Sequence, residues 1–267
     1  MSRLNIKEDA SNDNNRINEI ILDLNTPKEE IIVLWDYDSM IHFCLYSGKN
    51  ELGEKNPEYT KNDLEFLKSK LTEMTSKILN KVEQYFEIAS CYIFIKGNSN
   101  FRKEIYPEYK ANRPSSNPLI SELFKYAVET HQAIPADNCE AEDMVYRASK
   151  KINHQGLILY VDHDLLEIPS KFYNYRTNTF SKVTEKEATY NLYKKLCLSE
   201  PGDNVKTSPG IGEKYFKKNF HIDMTIEEYE EALKKAYLKS WKNDNEKAIE
   251  QLNLAKKLLM LRNECDL

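Results

Sequence analysis

Three carboxylates fall within four consecutive positions, Glu140, Glu142 and Asp143, where a stretch with helical apolar spacing begins: Ala141, Met144, Val145, Ala148 and Ile152. Acids in a first turn lie beside unpaired backbone N–H groups and the positive end of the helix dipole. Taken alone, they read as an acid-rich helix start. Two further acidic sites change that reading. The apolar run 31–35 ends in Asp36-Tyr37-Asp38, and the run 157–161 ends in Asp162-His163-Asp164. Continuous apolar runs of this length read as buried parallel strands. Carboxylates that follow them stand at the carboxyl edge of the sheet, where open α/β folds place ligands. Gathered on one edge, such acids repel one another and raise each other's pKa values. Divalent cations relieve that repulsion, and an all-oxygen donor set suits Mg²⁺ or Mn²⁺. His163 reads as a neighbour rather than a ligand. On an ideal helix Glu140 and Asp143 lie about sixty degrees apart, whereas Glu142 points well away and is expected to reach the others only over the helix end.

Basic groups flank these acids. Residues 96–126 carry six basic groups (Lys96, Arg102, Lys103, Lys110, Arg113, Lys125) against three acids, and 206–219 carry four lysines against Glu213. Between them, 137–164 holds six acids against three bases. The formal charge of −5 does not by itself suggest a nucleic-acid binder, but basic regions around an acidic centre suit a metal-dependent phosphodiesterase. In 101–114 the basic groups interleave with Tyr106 and Tyr109, so that cations can neutralise phosphates while rings stack on unpaired bases. A solvated helix and loop explain the same composition. The Pro209-Gly210-Ile211-Gly212 turn opens a helix and offers backbone N–H groups to a phosphate, with Lys214, Lys217 and Lys218 adding charge.

These residues need a scaffold, and 267 residues with 40 % hydrophobic content suffice for one large domain with an added lobe. Residues 1–30 are polar, with one apolar patch at 17–24, and are expected to be a mobile extension carrying at most a short helix. Helical spacing marks 60–87, 119–128 and 185–198, and strands are expected at 91–95 and 132–135. A hairpin is expected around 171–180, and two helices split near 243–245 fill 225–261. Five cysteines, at 44, 91, 139, 197 and 265, show no CxxC pair, so neither a disulfide framework nor a zinc site follows. No apolar run approaches transmembrane length and the N-terminus does not read as a signal peptide, which predicts an intracellular, cytoplasmic protein.

In order and spacing, FRKEIYPEYKANRP (101–114), CEAEDM (139–144), VDHD (161–164) and GDNVKTSPGIGEK (202–214) resemble the 5′-nuclease family: phage flap endonucleases, the RNase H of T-even-type phages and the 5′-nuclease domain of bacterial DNA polymerase I. The resemblance covers roughly 31–220. It implies a PIN-like α/β fold: a mostly parallel central sheet flanked by helices, a helical arch at about 101–130, and a C-terminal helix–three-turn–helix lobe. The corresponding division is 1–30, extension; 31–198, nuclease core; 199–267, DNA-binding lobe and C-terminal helices. It further implies metal-ligand roles for Asp36, Glu140, Glu142, Asp143, Asp162, Asp164, Glu200 and Asp203, holding two Mg²⁺ ions or Mn²⁺ in their place. Lys110 and Arg113 match the basic pair that contacts the scissile phosphate. Arg102, Lys103, Tyr109, Lys110, Arg113, Gly210, Ile211, Gly212, Lys214, Lys217 and Lys218 are the implied DNA contacts, with K⁺ at the glycine turn. The implied partners are 5′-flapped or branched DNA and RNA/DNA hybrid, met by a monomer that removes primers or flaps during phage replication, alongside replication proteins that the sequence does not identify. Three departures stand out. Ile95 occupies the place of a usual metal aspartate, with Asp38 as a candidate substitute. Glu142 and Glu200 replace aspartates, and Thr207 replaces a glycine. A DNA-binding protein with a decayed nuclease centre and a PIN-like ribonuclease are the competing readings.

Overall fold

The apolar run at 31–35 lies inside a strand bordered on both sides by parallel neighbours, and the rest of the fold is layered around it. The computed structural model describes residues 4–7, 18–22, 27–46, 59–113 and 117–261. In chain order the strands are β1 (Leu4–Lys7), β2 (Asn18–Leu22), β3 (Glu29–Asp36), β4 (Phe86–Ile95), β5 (Ile134–Pro135), β6 (Leu157–Tyr160), β7 (Lys171–Asn174) and β8 (Thr179–Lys182). The helices are α1 (Asp38–Tyr46), α2 (Leu64–Glu83), α3 (Phe101–Ile105), α4 (Leu119–His131), α5 (Ala141–Lys151), α6 (Glu185–Leu198), α7 (Glu213–Asn219), α8 (Ile226–Ser240) and α9 (Asn245–Leu259). The sheet runs β1-β2-β8-β7-β6-β3-β4-β5. Pairing is parallel from β7 to β5 and antiparallel beyond β7.

Alternation along β3 divides the core in two, because successive side chains point to opposite faces of a sheet. Ile31, Val33 and Trp35 join the layer that holds Met40, Ile41, Leu67, Leu71 and Leu123 of α1, α2 and α4. Leu34 joins Ala141 and Val145 of α5 on the other face. A third cluster, centred on Phe216, Phe220, Tyr229, Leu233 and Tyr237, unites α6 to α9. Tyr193 and Leu196 of α6 belong to it, whereas Ala188 of the same helix packs on the sheet side. Helix α6 therefore ties the two parts together.

The apolar patch at 17–24 contains β2, a strand where at most a short helix was expected. Ile20 and Ile21 are β-branched, and the β7–β8 hairpin offers an edge on which β2 pairs antiparallel. Residues 4–7 form β1, which pairs antiparallel with β2; the other residues of 1–26, and the expectation of mobility there, lie outside the described residues. The 101–130 stretch divides in two: α3 and a run of turns to Arg113, then α4, whose Leu119, Ile120, Leu123 and Ala127 are buried in the sheet-side core. Cys139 is disulfide-bonded, where the scattered cysteines led to no expected disulfide; among the described residues Cys44, Cys91 and Cys197 are free. Among the described residues no helix is long and apolar enough to cross a membrane.

Just past β4 the backbone at Gly97 runs against residue 136, and a Cβ at Gly97 would lie 1.7 Å from the Ala136 carbonyl oxygen. Two main chains cannot yield as a side chain does. Gly97→Ala is expected to destabilise the fold by about 1–3 kcal/mol, the usual cost of overpacking, as measured by urea unfolding; a neutral substitution would mean that the two segments separate freely.

Candidate active site

Parallel pairing of β4, β3 and β6 brings their carboxyl ends to one edge. Asp36 is the last residue of β3, Asp38 opens α1, and Asp162 follows β6 closely and caps a short turn by accepting from the Asp164 N–H at 3.1 Å. Helix α5 starts at the same edge, with Glu140 as its N-cap. Glu200 and Asp203 arrive from the turn that follows α6. A cleft of about 370 Å³ is lined by Glu142, Asp162, Asp164, Glu167, Glu200 and Asp203 together with Lys110, Arg113, Lys194 and Lys195.

Asp36 is 3 % exposed; its Oδ1 is buried without a hydrogen bond, and its Oδ2 accepts from Ser39 Oγ at 3.4 Å. Burial, then the charges of Asp38 and Asp162, push its pKa well above the carboxylate range. Burial and the Asp164 and Asp162 charges do the same to Glu142. Asp38 is pushed up to about 6 by burial, although its Oδ1 accepts from the Lys96 N–H at 2.8 Å. Asp162 and Glu200 are raised by desolvation in the cleft and by the neighbouring Asp164. This self-repelling, all-oxygen set, with one buried carboxylate oxygen lacking any donor, fits a divalent cation.

The other carboxylates are held by cations. Lys110 Nζ lies 2.6 Å from Glu140 Oε1 and 3.4 Å from Asp203 Oδ2, and Arg113 Nη2 donates to Asp203 Oδ1 at 2.6 Å. Lys110 adopts φ +57°, a left-handed backbone uncommon for lysine, pinned by its N–H donating to the Asp203 carbonyl at 2.8 Å. Burial pushes the Glu140 pKa up, but the charges of Lys110 and Arg102 and the hydrogen bonds from Lys110 and Tyr109 outweigh it and hold the pKa down. Lys195 stands 3.4 Å from Asp164 and 3.6 Å from Glu167. With the cations so placed, no three acidic, His or Cys side chains among the described residues are close enough to share one ion.

Three of the expected residues are held inside the protein. Asp143 is fully buried and both its oxygens accept from Arg102, at 2.5 and 2.9 Å, so that here the carboxylate expected to bind metal is taken up by a buried ion pair. Arg102, expected to contact DNA, is 2 % exposed for the same reason. Tyr109 is 3 % exposed and places its hydroxyl 3.0 Å from Glu140 Oε2 and 2.8 Å from Asp203 Oδ2, so its ring is not offered to a base. The helical-wheel ranking is also reversed: Glu140, as an N-cap at φ −97° and ψ 160°, is not on the wheel, and Glu142 lines the cleft.

Lys103, Gly210, Gly212, Lys214, Lys217 and Lys218 are exposed, whereas Ile211, expected to contact DNA, is buried in the C-terminal core. Gly210 carries φ +80°, which its lack of a Cβ permits. Ile95 is 2 % exposed in the core, and Asp38 bonds to the very next backbone N–H, that of Lys96. Thr207, in the place of a glycine, is absorbed: its hydroxyl lies 2.9 Å from both Ser199 Oγ and Tyr237 Oη. The same hydroxyl cluster holds Ser199 at φ 62° and ψ −175°, a region otherwise reserved for glycine, and thereby sets the direction in which Glu200 leaves α6. Sequence reading overlooked Lys195 and Glu167. Their signal was the lysine pair Lys194-Lys195 set among Leu192, Tyr193, Leu196 and Leu198 near the end of α6, and an acid three residues past Asp164.

Glu167 is pushed up to about 7 by burial, against the pull of Lys195. Groups whose folded pKa exceeds the unfolded value of about 4 bind extra protons in the folded state. Their stabilising contribution is complete below that value and is lost as pH rises through the folded pKa, here between about 4 and 7 for Asp38 and Glu167. In EDTA the melting temperature is therefore expected to fall between about pH 5 and pH 8, and divalent cation is expected to restore more at the higher pH. A calorimetric melting temperature that is flat with pH in EDTA and indifferent to cation would contradict this.

With this geometry established, comparison with known proteins is informative. A family model described as the 5′-3′ exonuclease N-terminal, resolvase-like domain matches residues 24–194. DNA polymerase I of Bacillus caldotenax is 27 % identical over 216 residues, covering 72 % of this chain but 24 % of the polymerase. The chain thus spans about a quarter of the length of that relative. A bacteriophage T5 protein co-crystallised with metal ions superposes with a TM-score of 0.63 at 14 % identity, covering 89 % of this chain and 91 % of that one. T5 5′-exonuclease with divalent zinc bound superposes with a TM-score of 0.50 at 15 % identity, covering 87 % and 99 %. These similarities carry the fold.

Proposed function

Because this chain belongs to the 5′-3′ exonuclease family, through the N-terminal resolvase-like domain matched by residues 24–194, we propose that it hydrolyses phosphodiester bonds near the 5′ ends of flapped or branched DNA. The observation that carries this reading is the convergence of Glu142, Asp162 and Asp164 on one cleft that Lys110 and Arg113 also line, with Asp36 buried near enough to feel the Asp162 charge.

Asp36, Glu140, Glu142, Asp162, Asp164, Glu200 and Asp203 would hold divalent cations, Mg²⁺ in the cell with Mn²⁺ as a substitute, and Asp38 would supply the carboxylate that Ile95 lacks. When bound, such ions activate water and stabilise the charge that develops on a phosphodiester. The chain's own groups do the rest. Lys110 and Arg113, released from Glu140 and Asp203, turn to the scissile phosphate, where a preorganised positive charge counts for more than it does in water. Lys195 stays buried beside Asp164 and Glu167, raised by those acids although burial opposes it, and keeps its charge in the cleft at neutral pH. The exposed backbone at Gly210 and Gly212, with Lys214, Lys217 and Lys218, grips the duplex phosphates without reading sequence, and a K⁺ ion at that turn would add to the grip. RNA in the 5′ strand is a further substrate under this reading.

A substrate panel tests this reading: 5′-flap, 5′-recessed and intact duplex DNA, a 5′-RNA flap, and a structured RNA, each with Mg²⁺ or Mn²⁺. Short 5′-phosphorylated products from the flaps, and none from intact duplex, are expected. Cleavage confined to structured RNA would favour a ribonuclease. Flap binding without cleavage in either metal would favour a decayed centre, which the burial of Ile95 makes the specific rival.

A further inference from the structure

The guanidinium of Arg102 joins three separate pieces of chain. It belongs to α3; it forks onto Asp143 of α5 at 2.5 and 2.9 Å; and it donates from Nε to the Leu258 carbonyl at 2.7 Å and from Nη2 to the Met260 carbonyl at 3.3 Å. Those carbonyls belong to the end of α9, where unpaired C=O groups carry the negative end of the helix dipole. Asp143 Oδ2 in turn accepts from the Glu140 backbone N–H at 3.0 Å. A continuous chain of bonds thus runs from the end of α9 to the N-cap that carries Glu140 and precedes Glu142.

We infer that the α9 terminus, residues 258–261, acts through Arg102 as a positioning element for the cation-binding acids of α5. This rests on the function proposed above. A second contact supports it: Leu261 packs on the core cluster that contains Val145 of α5 and Leu165 and Leu166 of the turn behind Asp162 and Asp164. Both acid-bearing turns therefore lean on the same four residues. Leu258 and Leu259 belong to the cluster that also holds Ile211 and Phe216, beside the glycine turn. Arg102 and residues 258–261 are positioning groups, since none of them faces the cleft.

The test uses the full chain as wild type, Arg102→Lys and Leu261→Ala. Arg102→Lys keeps the charge beside Asp143 but loses the fork that reaches α9. Leu261→Ala loosens the terminus without touching Arg102. Folding is verified by circular dichroism, Mn²⁺ binding is measured by calorimetry without DNA, and 5′-flap cleavage is split into kcat and KM. Both variants are expected to bind Mn²⁺ about 10- to 100-fold more weakly, as losses in the shell around metal ligands do. Their kcat should fall with KM for flap DNA unchanged, and excess Mn²⁺ should restore part of the rate. Folded variants with wild-type Mn²⁺ affinity and kcat would overturn the inference and leave Arg102 a plain clamp, with the functional reading intact. A wild type that neither binds Mn²⁺ nor cleaves would overturn the functional reading, and the inference with it.

Discussion

Glu142→Gln is expected to eliminate flap cleavage while leaving flap binding in place, with a rate loss beyond the roughly 100-fold typical of groups that only surround a metal's ligands. Glu142 lines the cleft beside Asp162 and Asp164, and their charges, after burial, are what raise its pKa. Removing its charge also removes repulsion, so the metal-free variant should melt at or above the wild-type temperature near neutral pH. That pairing of lost activity with retained or increased stability separates a functional carboxylate from a structural one. Single-turnover cleavage and calorimetry on the same preparation measure both. A Glu142→Gln protein that cleaves at the wild-type rate would remove this residue from the site and return weight to the helical wheel, which had pointed it away.

Arg102→Met is expected to have the opposite signature. It leaves the Asp143 carboxylate, fully buried, without its partner, and frees the Leu258 and Met260 carbonyls. Breaking a buried pair on one side costs about 3–5 kcal/mol, and urea unfolding should register a loss of that size. Arg102→Met/Asp143→Leu should recover much of it, because the uncompensated charge is gone. If Arg102→Met alone were neutral, water would have to reach Asp143 and the pair could not organise the start of α5.

The sequence made the sheet edge legible because the signal there is local: apolar runs stopping at Asp36 and Asp162 put carboxylates at the ends of buried strands whatever surrounds them. The helix boundaries of α6, α8 and α9 were legible for a similar reason, since apolar periodicity and capping residues lie within each segment. The partners of charges were not legible. Whether Asp143 faces a metal or Arg102 depends on a contact between residues 41 positions apart, and Arg102 reaches Leu258 across 156. A basic residue in an apparently DNA-facing segment gives no sign that its guanidinium is buried. The β2 strand was missed because a five-residue apolar stretch takes its conformation from the edge it meets. Lys195 was missed because a lysine at the end of a helix ordinarily faces water.

Metal-dependent hydrolysis at a 5′ end is tested most directly by single-turnover cleavage of a 5′-flap DNA labelled at its 5′ end, titrated with Mg²⁺ or Mn²⁺ and compared with EDTA, for wild type and Asp162→Asn. The expected result is a short labelled 5′ product from the wild type whose rate saturates with metal, none in EDTA, and none from Asp162→Asn at any metal concentration, with flap binding kept by both proteins. Flap binding without product from the wild type in either metal, or equal product from wild type and Asp162→Asn, would contradict it.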